Sequence, residues 1–188
     1  MLILASASPR RRELLALSGY EFSVIPSEAD ETVKGWLSVE SLTEELALRK
    51  ARDIAKQYPS DVVIGSDTVV AIDGEILGKP KDKADAKRML RRLSGRVHTV
   101  ATGVAIISEK GEEIFSKSAK VEFYQLSEED IEAYVESGES EGKAGAYAIQ
   151  GLGALLIKGI EGDFYTVMGL PIAALCRRLR KYEPLILG

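Results

Sequence analysis

The chain has one cysteine, Cys176, and one histidine, His98, among its 188 residues. A lone thiol excludes an internal disulfide. One histidine and one cysteine also make neither a Cys/His zinc cluster nor a histidine-based nucleophile triad. Aromatic residues reach only 6%, so the core must be mainly aliphatic. No apolar run approaches the roughly 20 residues that a membrane-spanning helix needs. No charged segment followed by an apolar h-region marks a secretion signal. A cytoplasmic protein with no membrane partner is expected. The net charge is −4, whereas general nucleic-acid binders are more often basic, so no stable nucleic-acid partner is expected and any anion site must be local. Neither the Gly-x-x-x-x-Gly-Lys-[Ser/Thr] loop nor Gly-x-Gly-x-x-Gly occurs, so kinase-type and dinucleotide-binding readings lack their markers. Repeats, low-complexity tracts and clean linkers are also missing.

Hydrophobic residues make up 45% of the chain and charged ones 29%, as expected for one globular domain over 1–188, with room for two lobes. Leu2–Ala5 reads as a short buried strand. Pro9 suits the first position of a helix capped by Ser8 and stopped by Gly19. Phe22–Ile25 alternates as a strand and leads into a polar loop, Pro26–Ser38. Ser41-Leu42-Thr43-Glu44 fits a capping box for a helix to about Gln57. Val62–Gly65 reads as a strand ending at Ser66-Asp67-Thr68. Val69–Ile72 and Glu75–Leu77 flank an Asp73-Gly74 hairpin turn. A helix is predicted over Lys83–Leu93, long strands over Arg96–Ile107 and Glu112–Tyr124, and a Ser127-capped helix to about Ser137. Ala154–Ile157 reads as a strand. Leu170–Lys181 reads as an amphipathic helix with Cys176 as a buried core thiol. Helices interleave with both crossovers and hairpins, which implies a mixed sheet in an α/β fold.

Four polar constellations fall at predicted element ends. Ser6, Ser8 and Arg10–Arg12 surround the start of the first helix, where hydroxyls, free N–H groups and guanidinium forks suit a polyphosphate. The competing reading is a solvated basic face. Asp67, after a buried strand, suits a divalent metal or a water to be activated; a turn-capping aspartate is the alternative. Asp30 and Glu31, with Glu28 nearby, read either as a solvated acidic loop or as the rest of an oxygen-ligand site with Asp67. Lys50 and Lys79, the latter held between Gly78 and Pro80, complete the set. His98 reads as a structural hydrogen-bonding residue. One group of residues suits phosphates and the other suits a metal, which points to charge-stabilised phosphoryl chemistry rather than acyl transfer.

Six blocks, in order along nearly the whole chain, resemble the Maf family of nucleoside triphosphate pyrophosphatases. They are Ser6-x-Ser8-Pro9-Arg10-Arg11, Gly65–Val70, Leu77–Pro80, Leu93-Ser94-Gly95-Arg96-x-His98, Lys143–Tyr147 and Gly169-Leu170-Pro171. The resemblance implies an elongated, two-lobed α/β fold with a mixed sheet, flanking helices and a central cleft, like that of inosine triphosphate pyrophosphatases. It implies a metal-dependent hydrolase that cuts a nucleoside triphosphate to the monophosphate and pyrophosphate in the housecleaning of nucleotide pools. By the same resemblance Asp67 is the proton acceptor, and Glu31, Asp67 and Asp30 hold a divalent cation, Mg²⁺ or Mn²⁺. Ser8, Arg11, Lys50 and Lys79 bind phosphate. Arg10, Thr68 and Gln150 match the branch that takes dTTP, UTP and modified uridine nucleotides, and a glutamine amide has the donor and acceptor to match a pyrimidine edge. The chain departs from the pattern at Thr166, where many members carry Asn. Alternatives are a branch preferring 7-methyl-GTP, or a regulatory binding module in division or septum control using the cluster Arg177-Arg178/Arg180-Lys181. The resemblance leaves room for a homodimer.

Overall fold

The computed structural model describes residues 1–33 and 38–182; residues 34–37 of the predicted polar loop lie outside them. In chain order the elements are β1 (Leu2–Leu4), α1 (Pro9–Ala16), β2 (Phe22–Val24), α2 (Val39–Ala55), β3 (Val62–Ile72), β4 (Glu75–Leu77), α3 (Lys83–Leu93), β5 (Val97–Ser108), β6 (Gly111–Phe123), α4 (Glu128–Glu136), β7 (Ile157–Glu161), α5 (Phe164–Met168) and α6 (Ile172–Leu179). Two 3-10 turns, Ala144–Ala146 and Gly151–Leu156, precede β7. The strands form a seven-stranded mixed sheet in the order β2-β1-β3-β5-β6-β7, with β4 on β3. The chain divides into two compact units. One comprises Met1–Asp67, Thr102–Lys117 and Gly169–Gly188, the other Thr68–Ala101 and Ser118–Met168.

In the first unit β1 lies parallel between β2 and β3, pairing Leu2 with Phe22 and Val62. Parallel strands are covered on both faces, which is why Leu2-Ile3-Leu4 and Val63-Ile64 are unbroken apolar runs and are buried. Helix α2 covers this sheet through Ala47, Leu48, Ala51 and Ile54, which pack in one cluster with Ile3, Ala5, Val63 and Ala105. The approach is close because two strand positions are glycine. A Cβ at Gly65 would overlap the Ala47 carbonyl oxygen, and one at Gly103 would overlap the Thr43 carbonyl.

In the second unit Asp73 and Gly74, at φ 51° and 77°, turn β3 into β4 as the sequence suggests. Strand β7 runs antiparallel to β6, with an irregularity at Glu122/Phe123. Helices α3 and α4 face each other across Lys83–Glu136, Lys87–Glu132 and Arg91–Glu128 ion pairs of 2.6, 2.8 and 2.7 Å.

Three expectations need correction. Strand β3 does not stop at Ser66-Asp67-Thr68 but runs through it to Ile72, so Asp67 is a mid-strand residue and not a turn cap. Pairing of β3 to β1 along Val62–Ile64, to β4 along Val70–Ile72 and to β5 outweighs the turn preference of those polar residues. Helix α2 begins three residues before the proposed capping box: Ser38 is the N-cap, and its side chain accepts the Ser41 N–H. The apolar stretch Ala154–Leu156 is 3-10 rather than strand, and Leu155 faces solvent. The strand starts only where Ile157 finds Phe123 as its partner.

Candidate active site

In the first unit, Lys50 of α2 places its ammonium between two carboxylates, 2.5 Å from Asp67 Oδ1 and 2.8 Å from Glu31 Oε1. The Lys50 and Asp67 side chains are 13% and 12% exposed, while that of Glu31 is 52% exposed. The pair is therefore mostly withdrawn from solvent, with an open acidic side. Close helix-to-strand packing at Gly65 brings Lys50 within reach of β3. The same helix holds the acidic loop. Arg49 donates to the carbonyls of Thr32 and Asp30 at 2.7 and 3.3 Å. Asp53 accepts from the Ser27 hydroxyl and the Glu28 N–H. Glu31 is thus fixed from α2 on both sides along the chain.

Arg11 of α1 lies beside this group. Its Nε donates to the Gly169 carbonyl at 2.8 Å and its Nη1 to Ser6 Oγ at 3.3 Å. Ser66, next to Asp67, donates to the same Gly169 oxygen at 3.1 Å. Burial pushes the Arg11 pKa down and Arg10 pushes it further, against the pull of Asp67 and Glu31. Because arginine stays protonated in proteins, Arg11 is a partly desolvated permanent cation facing the two carboxylates. Ser8 sits at the N-cap without a side-chain cap, so the predicted hydroxyl cap is absent; its N–H donates to Ser6 Oγ at 3.2 Å. A helix N-terminus of this kind, with proline at its first position, is a place that favours an anion.

The fold thus brings together Ser6, Arg11, Glu31, Lys50 and Asp67, with Ser8 and half-buried Arg10 on the same turn. Asp30 does not join them. Its Oδ1 accepts the Thr32 N–H at 2.8 Å, which lowers its pKa. No group of three or more His, Cys, Asp or Glu side chains able to hold a metal forms among the described residues. Thr68, half-buried, follows Asp67 in β3 and opens the second unit. Lys79 and Gln150 belong to that unit and are exposed. Thr166 is buried there, and its hydroxyl and N–H both bond to Asp163 Oδ2, at 2.8 and 3.0 Å. Its side chain thus secures the start of α5.

Sequence reading missed the Gly169 carbonyl, the common acceptor for Arg11 and Ser66, and the glycines that let α2 approach. The Gly169-Leu170-Pro171 block marks the former, but only the fold shows what it touches. Half of the basic cluster on α6 is engaged internally. Arg178 and Lys181 both pair with Glu113, and Arg178 lies 3.8 Å from the Phe115 ring centre. Cys176 is buried as expected, and burial pushes its thiol pKa up against the pull of Arg180. No helix among the described residues is long and apolar enough to cross a membrane.

The α/β fold resembles that of a solved HAM1 protein. Across 96% of this chain and 98% of the other, the fold is similar to a HAM1 protein from Coxiella burnetii, with a TM-score of 0.54 at 20% identity. The family described as Maf-like protein matches residues 1–182, and the chain belongs to the Maf family. A dTTP/UTP pyrophosphatase of Bacillus mycoides is 47% identical over 182 residues, spanning 97% of this chain and 95% of that protein. One from Bacillus velezensis is 51% identical over the same length, spanning 97% and 96%.

Proposed function

We propose that this chain hydrolyses dTTP and UTP, and related uridine nucleotides, to the monophosphate and pyrophosphate. The observation that carries the reading is the Asp67–Lys50–Glu31 group beside Arg11, in a chain about half identical to proteins named for that activity.

In the reaction, Asp67 takes a proton from a water as that water attacks the α-phosphorus, and the bond to the α–β bridging oxygen breaks. Asp67 suits this role because its carboxylate is oriented by Lys50 and shielded by the sheet. Arg11 and Lys50 neutralise charge that develops on the departing pyrophosphate. Ser8 and the open first turn of α1 bind phosphate oxygens, and Lys79 adds a further cation from the Gly78-Lys79-Pro80 turn. Arg10, Thr68 and Gln150 select the nucleobase.

Asp67 and Glu31 are the two carboxylates that would hold a divalent cation, which would have to displace the Lys50 ammonium now lying between them. Two protein carboxylates suit an ion such as Mg²⁺ or Mn²⁺ that completes its shell with waters and phosphate oxygens. Bound there, it would supply Lewis-acid neutralisation of the triphosphate. Asp30, tied to Thr32, is no longer part of this set.

The test is pyrophosphate release from a nucleotide panel, with and without Mg²⁺, beside an Asp67→Asn control. Preferential turnover of dTTP and UTP is expected. No release above the control, or preference for 7-methyl-GTP, contradicts the reading. Retention of a cellular division phenotype by Asp67→Asn would instead favour the regulatory module.

A further inference from the structure

His98 is a buried ionisable group that the proposed reaction does not use. It is 3% exposed. Its Nε2 lies 2.7 Å from the Tyr147 hydroxyl. Its ring stands edge-on to Phe123 and Tyr147, at centroid distances of 5.1 and 5.4 Å. The other nitrogen, Nδ1, is buried with no hydrogen-bond partner among the described residues. Desolvation pushes the pKa down to about 4, so the ring is neutral and carries one proton. Burying an orphan N–H is less tolerated than burying an orphan acceptor. The proton therefore belongs on Nε2, which donates to Tyr147.

Tyr147 follows a strained turn. Ala146 has φ 61°, the left-handed region that a side chain occupies only where its surroundings impose it. Three contacts impose it here. The Gly145 N–H donates to the Gly78 carbonyl at 3.1 Å, the Ala148 N–H donates to the Tyr134 hydroxyl at 3.1 Å, and Tyr147 is held by His98. Residues 145–149 are buried, and Gln150 is the first exposed side chain beyond them. Gly78, the acceptor for Gly145, immediately precedes Lys79. One hydrogen-bonded segment of the second unit thus carries Gln150 and braces the turn that bears Lys79.

We infer that His98 is a positioning residue for substrate selection: through Tyr147 it holds the strained segment that presents Gln150 and steadies Lys79. This rests on the nucleotide hydrolysis proposed above. The residue touches no substrate and takes no part in proton transfer.

His98→Phe keeps an edge-on ring and deletes the hydrogen bond, and Tyr147→Phe deletes it from the other side should the first variant fail to fold. Each is expected to raise KM for dTTP about tenfold, the scale of one lost hydrogen bond, and to narrow the preference for dTTP over dCTP, with kcat within about twofold of wild type. His98→Gln, which restores a donor, is expected to recover part of the loss. A merely structural role would lower the active fraction, and so apparent kcat, while leaving KM and the preference alone. That pattern, or wild-type kinetics in both phenylalanine variants, overturns the inference. Gln150→Ala separates the two levels. If it leaves the preference unchanged while His98→Phe shifts KM, the nucleobase role of Gln150 falls and the positioning role of His98 stands through Lys79. Absence of turnover by wild-type enzyme defeats the underlying function instead.

Discussion

At Asp67, a carboxylate in a shielded strand lies 2.5 Å from the Lys50 ammonium, and the solvent-facing Glu31 shares that ammonium; in the proposed reaction the same carboxylate accepts a proton. Asp67→Asn keeps the shape and removes the base. It is expected to lower kcat by about 10²–10⁴-fold, measured by pyrophosphate release at saturating dTTP and Mg²⁺. Arg11→Lys keeps the charge but loses the planar fork that reaches both Gly169 and Ser6. Its expected signature is a higher KM with partial retention of kcat. At His98 the pH dependence has a definite sign. The folded pKa, about 4, lies below the ordinary 6.5, because of desolvation alone, and the rings against it, Phe123 and Tyr147, are uncharged in acid. The unfolded chain therefore binds a proton that the folded chain refuses. Stability present above pH 6.5 declines as the pH falls toward 4, by about 3 kcal/mol in full. Urea midpoints at pH 7.5 and 4.5 should differ less in His98→Phe than in wild type.

Helix α2 carries more of the site than any other element. Arg49, Lys50 and Asp53 lie within little more than one turn. They fix the acidic loop at Asp30 and Thr32, neutralise Asp67 with Glu31, and fix the loop again at Ser27 and Glu28. Arg49→Ala removes the clamp on the two carbonyls flanking Glu31. It is expected to lower kcat/KM about tenfold while Tm falls by only a few degrees, checked by kinetics beside a thermal scan. Gly65→Ala acts on the other side of the helix. The added Cβ meets backbone of α2, which no rotamer change relieves, so a loss near 3 kcal/mol, the upper end of overpacking costs, is expected in urea unfolding. The helix itself was legible from its capping residues and its reach to about Gln57, but its start was not. Ser41 is as good a cap residue by type as Ser38, and the chain uses Ser38, whose side chain accepts the Ser41 N–H. Asp67 was misplaced for a related reason: Ser-Asp-Thr favours a turn locally, and pairing of β3 with β1, β4 and β5 keeps it extended.

Across the whole molecule, the alternation of strands, crossovers and hairpins was readable because buried parallel strands leave unbroken apolar runs and the Asp73-Gly74 turn has its own chemistry. Residue type marked Asp67, Lys50, Glu31 and Arg11 as polar groups at element ends, and the fold brings them together. The hydrogen bonds among distant segments were not readable, since Arg11 and Gly169, or His98 and Tyr147, are separated by 158 and 49 positions and no local pattern records their meeting. Each of these contacts lies within one unit: Arg11 and Gly169 belong to the first, with Asp67 and Lys50, and His98 and Tyr147 to the second, with Lys79 and Gln150. The most direct test of the account is turnover of dTTP in ¹⁸O-labelled water with Mg²⁺, with products resolved by mass spectrometry. The expected result is pyrophosphate without label and dTMP carrying one ¹⁸O, lost together in Asp67→Asn. Label in the pyrophosphate, release of orthophosphate, or undiminished labelling of dTMP by Asp67→Asn would contradict attack on the α-phosphorus by a water that Asp67 deprotonates.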